Sequence, residues 1–272
     1  MVDQHTPRSL IVTLYGAYGR ASGDPSVPVA ELIRLLGAVG VDAPAVRSSV
    51  SRLKRRGLLV AERTAGGAAG YALSESARQV LDDGDRRIYG RAAPRLSDGW
   101  VLAVFSVPEA ERHKRHQLRS QLARLGYGTA APGVWIAPAH LEEETRHTLR
   151  RLALDPYVEL FRGEHRGFTA TPGAVARWWD LDAIAALHAE FLARHEPVLA
   201  GWTGRSGEPR EAYRDYLLAL DAWRHVPYVD PGLPAELLPP DWPGGRSAEV
   251  FGRLHEALRN TGEAYVRGGG AG

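Results

Sequence analysis

Residues 41–63 read VDAPAVRSSVSRLKRRGLLVAER. Asp42 is placed to cap a helix, its carboxylate accepting a free backbone N–H, and Pro44 falls in the first turn, where a missing amide donor costs nothing. The helix is expected from about Ala43 to Arg56, and Gly57 stops it. At about 100° per residue, Val46, Val50 and Leu53 share one narrow apolar stripe. Ser48, Ser51, Arg52 and Arg55 lie opposite, with Arg47 and Lys54 on the flanks.

The flanking chain gives this helix a setting. Upstream, Leu10, Ile11, Leu14 and Tyr15 recur at helical spacing between Pro7 and Gly19, and Leu32, Ile33, Leu35 and Leu36 repeat the pattern between Val29 and Leu36. Downstream, Leu58 to Thr64 reads as a strand, Ala65 to Gly70 as a turn and Tyr71 to Leu73 as a returning strand, before a helix from Ser74 to Tyr89. Two helices, a capped basic helix and a Gly-centred hairpin are the order of a winged helix-turn-helix, assigned to residues 1–92. Long cations among small hydroxyls suit a helix in a DNA major groove, since arginine bridges guanine acceptors bidentately while serine permits close approach to phosphate. A solvated helix face carries the same charges, so it is the order of elements rather than the cluster that points to DNA.

At 272 residues the chain is long enough for two or three compact units. Its net charge of +2 is unevenly spread: 13 Arg+Lys against 9 Asp+Glu in residues 1–92, 11 against 9 in 93–171, and 10 against 14 in 172–272. The basic end is the one with the candidate reading helix. With Cys 0, thiolate metal sites, iron–sulfur ligation and cysteine nucleophiles are excluded. The N-terminal stretch has neither the length nor the apolarity of a signal peptide or a membrane span, so a cytoplasmic protein without a membrane partner is expected.

Residues 93–171 open with the apolar run WVLAVFSV, Trp100 to Val107, read as a buried strand ahead of a helix from Glu109 to Leu125. Val134 to Ile136 and Val158 to Phe161 are further strands, with a helix from Leu141 to Leu152 between them. This alternation is that of a ferredoxin-like α/β sandwich with helices on one face, so the whole chain is expected to be α+β. Such folds host magnesium-dependent nucleases, which need carboxylates at a strand end. Here the strand ends Phe105-Ser106-Val107-Pro108; Asp98 precedes the strand, and Glu109 begins the following helix, where an acidic residue reads as a cap or dipole partner. His113 and His116 lie among Arg112, Lys114 and Arg115 on a solvated basic face, and no metal or cofactor is expected.

Residues 172–272 are expected to form a helical domain. Val175 to Arg194 reads as a helix, and Glu211 to His225 as another whose Tyr213, Tyr216, Leu217, Leu220 and Trp223 form a packing stripe. The proline-rich stretch 230–244 is expected to cross the surface as a rigid extended connection. Phe251 to Leu258 and Glu263 to Val266 read as helical remnants, and the GGGAG tail as disordered.

Three separate segments carry a resemblance: AVRSSVSRLKRRGLLVAER, then WVLAVFSVPE with LRSQLARLGYG and APGVWIAP, then DPGLPAELLPPDWPG. Together they resemble the PaaX family of bacterial transcriptional repressors, over about Leu10 to Val266. The resemblance implies an N-terminal winged helix on a palindromic double-stranded operator, a non-catalytic middle domain with the fold of the CRISPR adaptation nucleases, a helical C-terminal domain and a homodimer. The founding members control phenylacetate catabolism and release DNA on binding phenylacetyl-coenzyme A. The resemblance places Arg47, Ser48, Ser51 and Arg52 in the recognition helix and Arg63 beside the wing. Lys54 and Arg55 join them from the helical arrangement.

A coenzyme A thioester needs cations for its phosphates and an apolar slot for its acyl group. Arg119, Arg214 and Arg224 with Tyr216, Trp223 and Trp242 meet that requirement by residue type, and the same residues equally describe surface charge and core aromatics. The leading expectation is a DNA-binding repressor, not an enzyme, released by such an effector. Set against it are a metal-dependent nuclease on the middle domain and an effector-independent structural DNA-binding protein.

Overall fold

The computed structural model describes residues 5–20, 25–90, 94–205 and 207–268. The protein is mixed α and β, with many helices and two small antiparallel sheets. Its two compact units do not follow chain order. One is formed by Met1–Tyr89, Glu190–Arg224 and Gly245–Gly272, the other by Gly90–Ala189 and His225–Gly244.

The first unit opens with α1 (Pro7–Leu14), capped by the Thr6 hydroxyl, which accepts from the Ser9 amide at 3.1 Å. The single helix expected to Gly19 is interrupted: Tyr15–Gly19 is a π-helical turn, a widened coil that the glycines at 16 and 19 do nothing to prevent. Then come β1 (Val27–Pro28), α2 (Val29–Gly37), α3 (Ala43–Arg55), β2 (Leu59–Arg63), β3 (Ala69–Leu73) and α4 (Glu75–Tyr89). The sheet order is β1-β3-β2, antiparallel throughout. At Gly70 a Cβ would meet Ser26 Oγ at 2.6 Å and the Val27 carbonyl oxygen at 2.9 Å, so only glycine lets β1 and β3 pair. Leu10, Ile11, Leu36, Val46, Leu53 and Leu59 are almost fully buried. Each contributes about 1.5–3 kcal/mol by leaving water.

Later parts of the chain complete this unit. α9 (Pro209–Trp223) packs on α1. The link is Asp221, whose side chain is 0% exposed. Its carboxylate accepts from Thr13 Oγ1 at 2.6 Å, Ser9 Oγ at 2.7 Å and, through the imidazole ring, contacts His5 Nδ1 at 2.9 Å. Burial alone would raise the Asp221 pKa, but these hydrogen bonds and the Arg224 charge outweigh it and hold the carboxyl below its ordinary range. Arg34 of α2 stacks its guanidinium 4.4 Å from the Tyr265 ring and donates to the Tyr265 carbonyl at 3.1 Å. Tyr265 belongs to α11 (Gly244–Gly268), which is one continuous helix where two remnants were expected. Gly262, between the two, sits where α11 meets α9, with a would-be Cβ only 2.9 Å from Tyr213 Cα. The remainder of the GGGAG tail after Gly268 lies outside the described residues.

In the second unit β4 (Trp100–Phe105), α5 (Arg112–Arg124), β5 (Gly128–Ala131), β6 (Val134–Pro138), α6 (Glu142–Arg151) and β7 (Val158–Gly163) build a sheet of order β5-β6-β4-β7. Neighbours are antiparallel. The apolar run in β4 reflects burial on both faces. Val101 and Ala103 pack with Leu122, Tyr127, Trp135 and Leu141, while Trp100 packs on the opposite side with Trp179, Ile184, Leu233 and Leu237. Helices on one face only was therefore an incomplete expectation.

That second face also corrects the reading of 230–244. The stretch does not run across the surface: Leu233 and Leu237 are 6% and 4% exposed, inside the core beside Trp100. Prolines stiffen it, but its leucines dictate where it lies. The helix expected from Val175 to Arg194 is two, α7 (Thr171–Trp178) and α8 (Leu181–Trp202). They break because Trp179 turns extended and donates its indole N–H to the Gly126 carbonyl at 2.9 Å, and Asp180 then caps α8 at the Ala183 amide. α10 (Val226–Val229) follows α9.

Candidate nucleic-acid interface

The geometry of α3 follows from its sequence. Asp42 Oδ1 accepts from the Ala45 amide at 2.7 Å, and Pro44 occupies the first turn. Val46, Val50 and Leu53 are buried at 0%, 3% and 0%, packed towards α1 and α2. Ser49 is buried as well, a small residue at the edge of the apolar stripe. The other side of the helix is open: Arg47, Ser48, Ser51, Arg52, Lys54 and Arg55 are all exposed. Gly57, at φ +70, ends the helix in the left-handed region that glycine tolerates.

Many arginines elsewhere are paired with carboxylates, as in Arg246 with Glu196 or Arg194 with Glu190, while, among the described residues, Arg112, Lys114, Arg119 and Arg124 of α5 are not. Among the described residues, the side chains of Arg47, Lys54, Arg55 and also Arg56 have neither a hydrogen bond nor a carboxylate partner. Arg52 reaches only Ser49 Oγ, at 3.5 Å. The face thus presents unneutralised cations beside two free hydroxyls, which suits a polyanion.

The β2–β3 hairpin closes through Thr64, whose amide donates to the Ala68 carbonyl at 2.8 Å and whose hydroxyl accepts from the Ala68 amide at 3.1 Å. Arg63 is exposed at the base of this turn and donates to the Gly67 carbonyl at 2.8 Å. That contact leaves the guanidinium's remaining donors available.

The six residues considered for a coenzyme A thioester do not share a site within either unit. Arg119 and Trp242 belong to the second unit; Arg214, Tyr216, Trp223 and Arg224 belong to the first. Tyr216 and Trp223 are 0% and 1% exposed. The Tyr216 hydroxyl meets His255 Nδ1 at 2.8 Å, and the Trp223 indole donates to the Ile88 carbonyl at 3.1 Å. Arg224 is committed to Asp221 and Ser9, and Arg214 to Asp215. Arg119 lines an open cavity, of about 550 Å³, together with Arg115, Phe105 and Trp135.

The carboxylates weighed for metal chemistry have structural duties. Asp98 Oδ2 accepts from the Arg95 amide at 2.8 Å, and Glu109 pairs with Arg115 at 3.3 Å. His113 and His116 are exposed, as the basic-face reading expected. Among the described residues no group of three His, Asp or Glu is arranged to hold a metal ion. Nor, among them, is any helix long and apolar enough to cross a membrane.

Three family models match the chain in succession: "PaaX-like protein" over residues 6–77, "PaaX protein central Cas2-like domain" over 93–175 and "PaaX-like protein C-terminal domain" over 179–268. The chain belongs to the PaaX family. Among PaaX relatives, it is 24% identical over 264 residues to the "Transcriptional repressor PaaX" of Escherichia coli strain K12, spanning 95% of this chain and 82% of that one. A solved structure, "Uncharacterized protein Rv0674 from Mycobacterium tuberculosis", is similar at a TM-score of 0.61 with 21% identity, over 95% of this chain and 98% of that one. At that identity the likeness concerns the fold.

Proposed function

We propose that this PaaX-family chain is a sequence-specific DNA-binding transcriptional repressor, not an enzyme, acting in the cytoplasm. The observation that carries the reading is the exposed, carboxylate-free cationic face of α3. The similarity to a protein named a transcriptional repressor supports it. In this reading α1–α3 and the β2–β3 hairpin are a winged helix-turn-helix, residues 1–92. Residues 93–171 are a ferredoxin-like domain without catalysis, and 172–272 a helical domain. The element orders along the first two stretches support those names. Arg47, Ser48, Ser51, Arg52, Lys54 and Arg55 face the major groove, and Arg63 follows the adjacent backbone. A homodimer then pairs two reading helices with the two halves of a palindromic operator.

Release is by a small-molecule effector, such as phenylacetyl-coenzyme A or another aryl-acyl-coenzyme A, that prefers the conformation unable to fit both half-sites. A duplex selected from a random pool against the protein tests the DNA reading. Specific binding is expected to exceed binding to scrambled duplex by several orders of magnitude. Equal affinity for both would reduce the protein to a non-specific DNA binder. Affinity unchanged by a panel of aryl-acyl thioesters would remove that effector class.

A further inference from the structure

The first unit holds a cavity of about 410 Å³, lined by Gly16, Ala17 and Arg20 at the π-helical turn, by Asp82, Asp85 and Tyr89 of α4, and by His255 and Arg259 of α11. It lies within the size range of small-molecule pockets, at the lower end. Its charges are not all engaged. Arg20 is held by Asp85 at 2.8 Å and by Asp82, and also donates to the Gly16 carbonyl at 2.9 Å. Arg259 is half-buried and, among the described residues, has neither a side-chain hydrogen bond nor a direct carboxylate partner. Asp82 and Asp85, the carboxylates that line the cavity, both contact Arg20 instead.

The wall beside it is aromatic. Tyr89 lies with its ring 4.9 Å from His255 and stacks on Phe251 at 6.2 Å, yet stays 40% exposed. Burial lowers the His255 pKa, with the Arg259 charge adding to the effect and the Glu256 charge opposing it, and its Nδ1 is engaged by Tyr216. Arg259 is therefore the cavity's uncommitted cation, with a flat aromatic surface next to it.

We propose that this cavity binds a small aromatic carboxylate, with Arg259 as counter-ion to the carboxylate and Tyr89 against the ring. The site would also report to the rest of the unit. The same π-helical turn that floors it carries Tyr15, whose hydroxyl donates to the Tyr71 carbonyl on β3 at 2.5 Å. A ligand pressing on Gly16 and Ala17 thus acts on the turn that holds the hairpin. A role as effector rests on the repressor reading; binding itself does not.

Calorimetric titration of the full chain, without DNA, with benzoate, benzamide and inorganic phosphate tests the site. Benzoate is expected to bind saturably at one per chain, with benzamide and phosphate at least ten-fold weaker. Arg259→Gln is expected to weaken benzoate at least ten-fold. Gly16→Leu is an independent block: a Cβ at Gly16 meets nothing within 4 Å, so the added side chain fills the cavity without a backbone clash. It too is expected to abolish binding, at an unchanged thermal midpoint. No saturable benzoate binding at millimolar concentration, or equal binding by wild type and both variants, would overturn the proposal. Phosphate binding as well as benzoate would remove the aromatic part of it. Failure of the ligand-free protein to bind DNA, measured separately, would strike the repressor reading and leave this site standing.

Discussion

Replacing Asp221 by alanine removes an acceptor that joins α1 to α9. Thr13 Oγ1 has a second acceptor, the Ser9 carbonyl at 3.0 Å, so its hydroxyl keeps a partner. Ser9 Oγ does not keep this acceptor, and Arg224, only 19% exposed, loses its contact with the Asp221 carboxylate. His5 at 22% exposed can recover part of its contact with water. Hydrogen bonds to a buried charge are worth about 1.5–3 kcal/mol each. Allowing for the desolvation that the carboxylate no longer suffers, the net loss is about 3 kcal/mol.

Urea unfolding followed through tryptophan fluorescence and far-UV circular dichroism measures this loss. With a slope of about 2 kcal/mol per molar, the midpoint of the first unit falls by about 1.5 M. The substitution should also change the acid limb. A carboxyl held below its ordinary pKa contributes stability that is complete above about pH 4 and lost as pH falls through its folded value. Wild type loses that increment on acidification, whereas Asp221→Ala has none to lose. A midpoint shift under about 0.3 M, roughly 0.6 kcal/mol, would refute the view that Asp221 ties α1 to α9.

His195 is buried, among the described residues its Nε2 has no partner, and burial, aided by the charges of His5 and Arg194, lowers its pKa to about 4. The unfolded chain takes up its proton near pH 6.5, so stability is full above that value and declines by about 3 kcal/mol as pH falls to 4. His195→Phe should flatten thermal midpoints measured between pH 7.5 and 5. Gly262→Ala drives a methyl to within 2.8 Å of Tyr18 Oη and 2.9 Å of Tyr213 Cα, and should cost about 1–3 kcal/mol in thermal unfolding. Gly252→Ala, in the same helix but with nothing within 4 Å, should instead stabilise by about 1 kcal/mol.

What the sequence disclosed depended on how local the cause was. The cap at Asp42, the stripe Val46, Val50 and Leu53 and the Gly57 stop are short-range chemistry, and α3 forms as they dictate. Long-range causes were invisible. Trp179 breaks a helix because Gly126, 53 residues away, accepts its indole proton. Asp221 carries no local sign, since Ser9 and Thr13 stand more than 200 positions distant. β5 was hidden by glycines that signal only a helix end; Gly128 is there because the Trp178 carbonyl would lie 2.6 Å from any Cβ. Arg259 offers no local sign either, since only the absence of a partner sets it apart.

The central claim is that the cationic face of α3 reads duplex DNA. Its most direct test is fluorescence anisotropy of a selected duplex across a salt series, comparing wild type with Arg52→Ala/Arg55→Ala. Both residues are exposed, so the variant should keep the wild-type thermal midpoint. The account predicts a loss of specific affinity of at least ten-fold and a log–log salt slope shallower by about 2, as expected for two lost phosphate or base-edge contacts. An unchanged affinity and slope in the folded variant would contradict it.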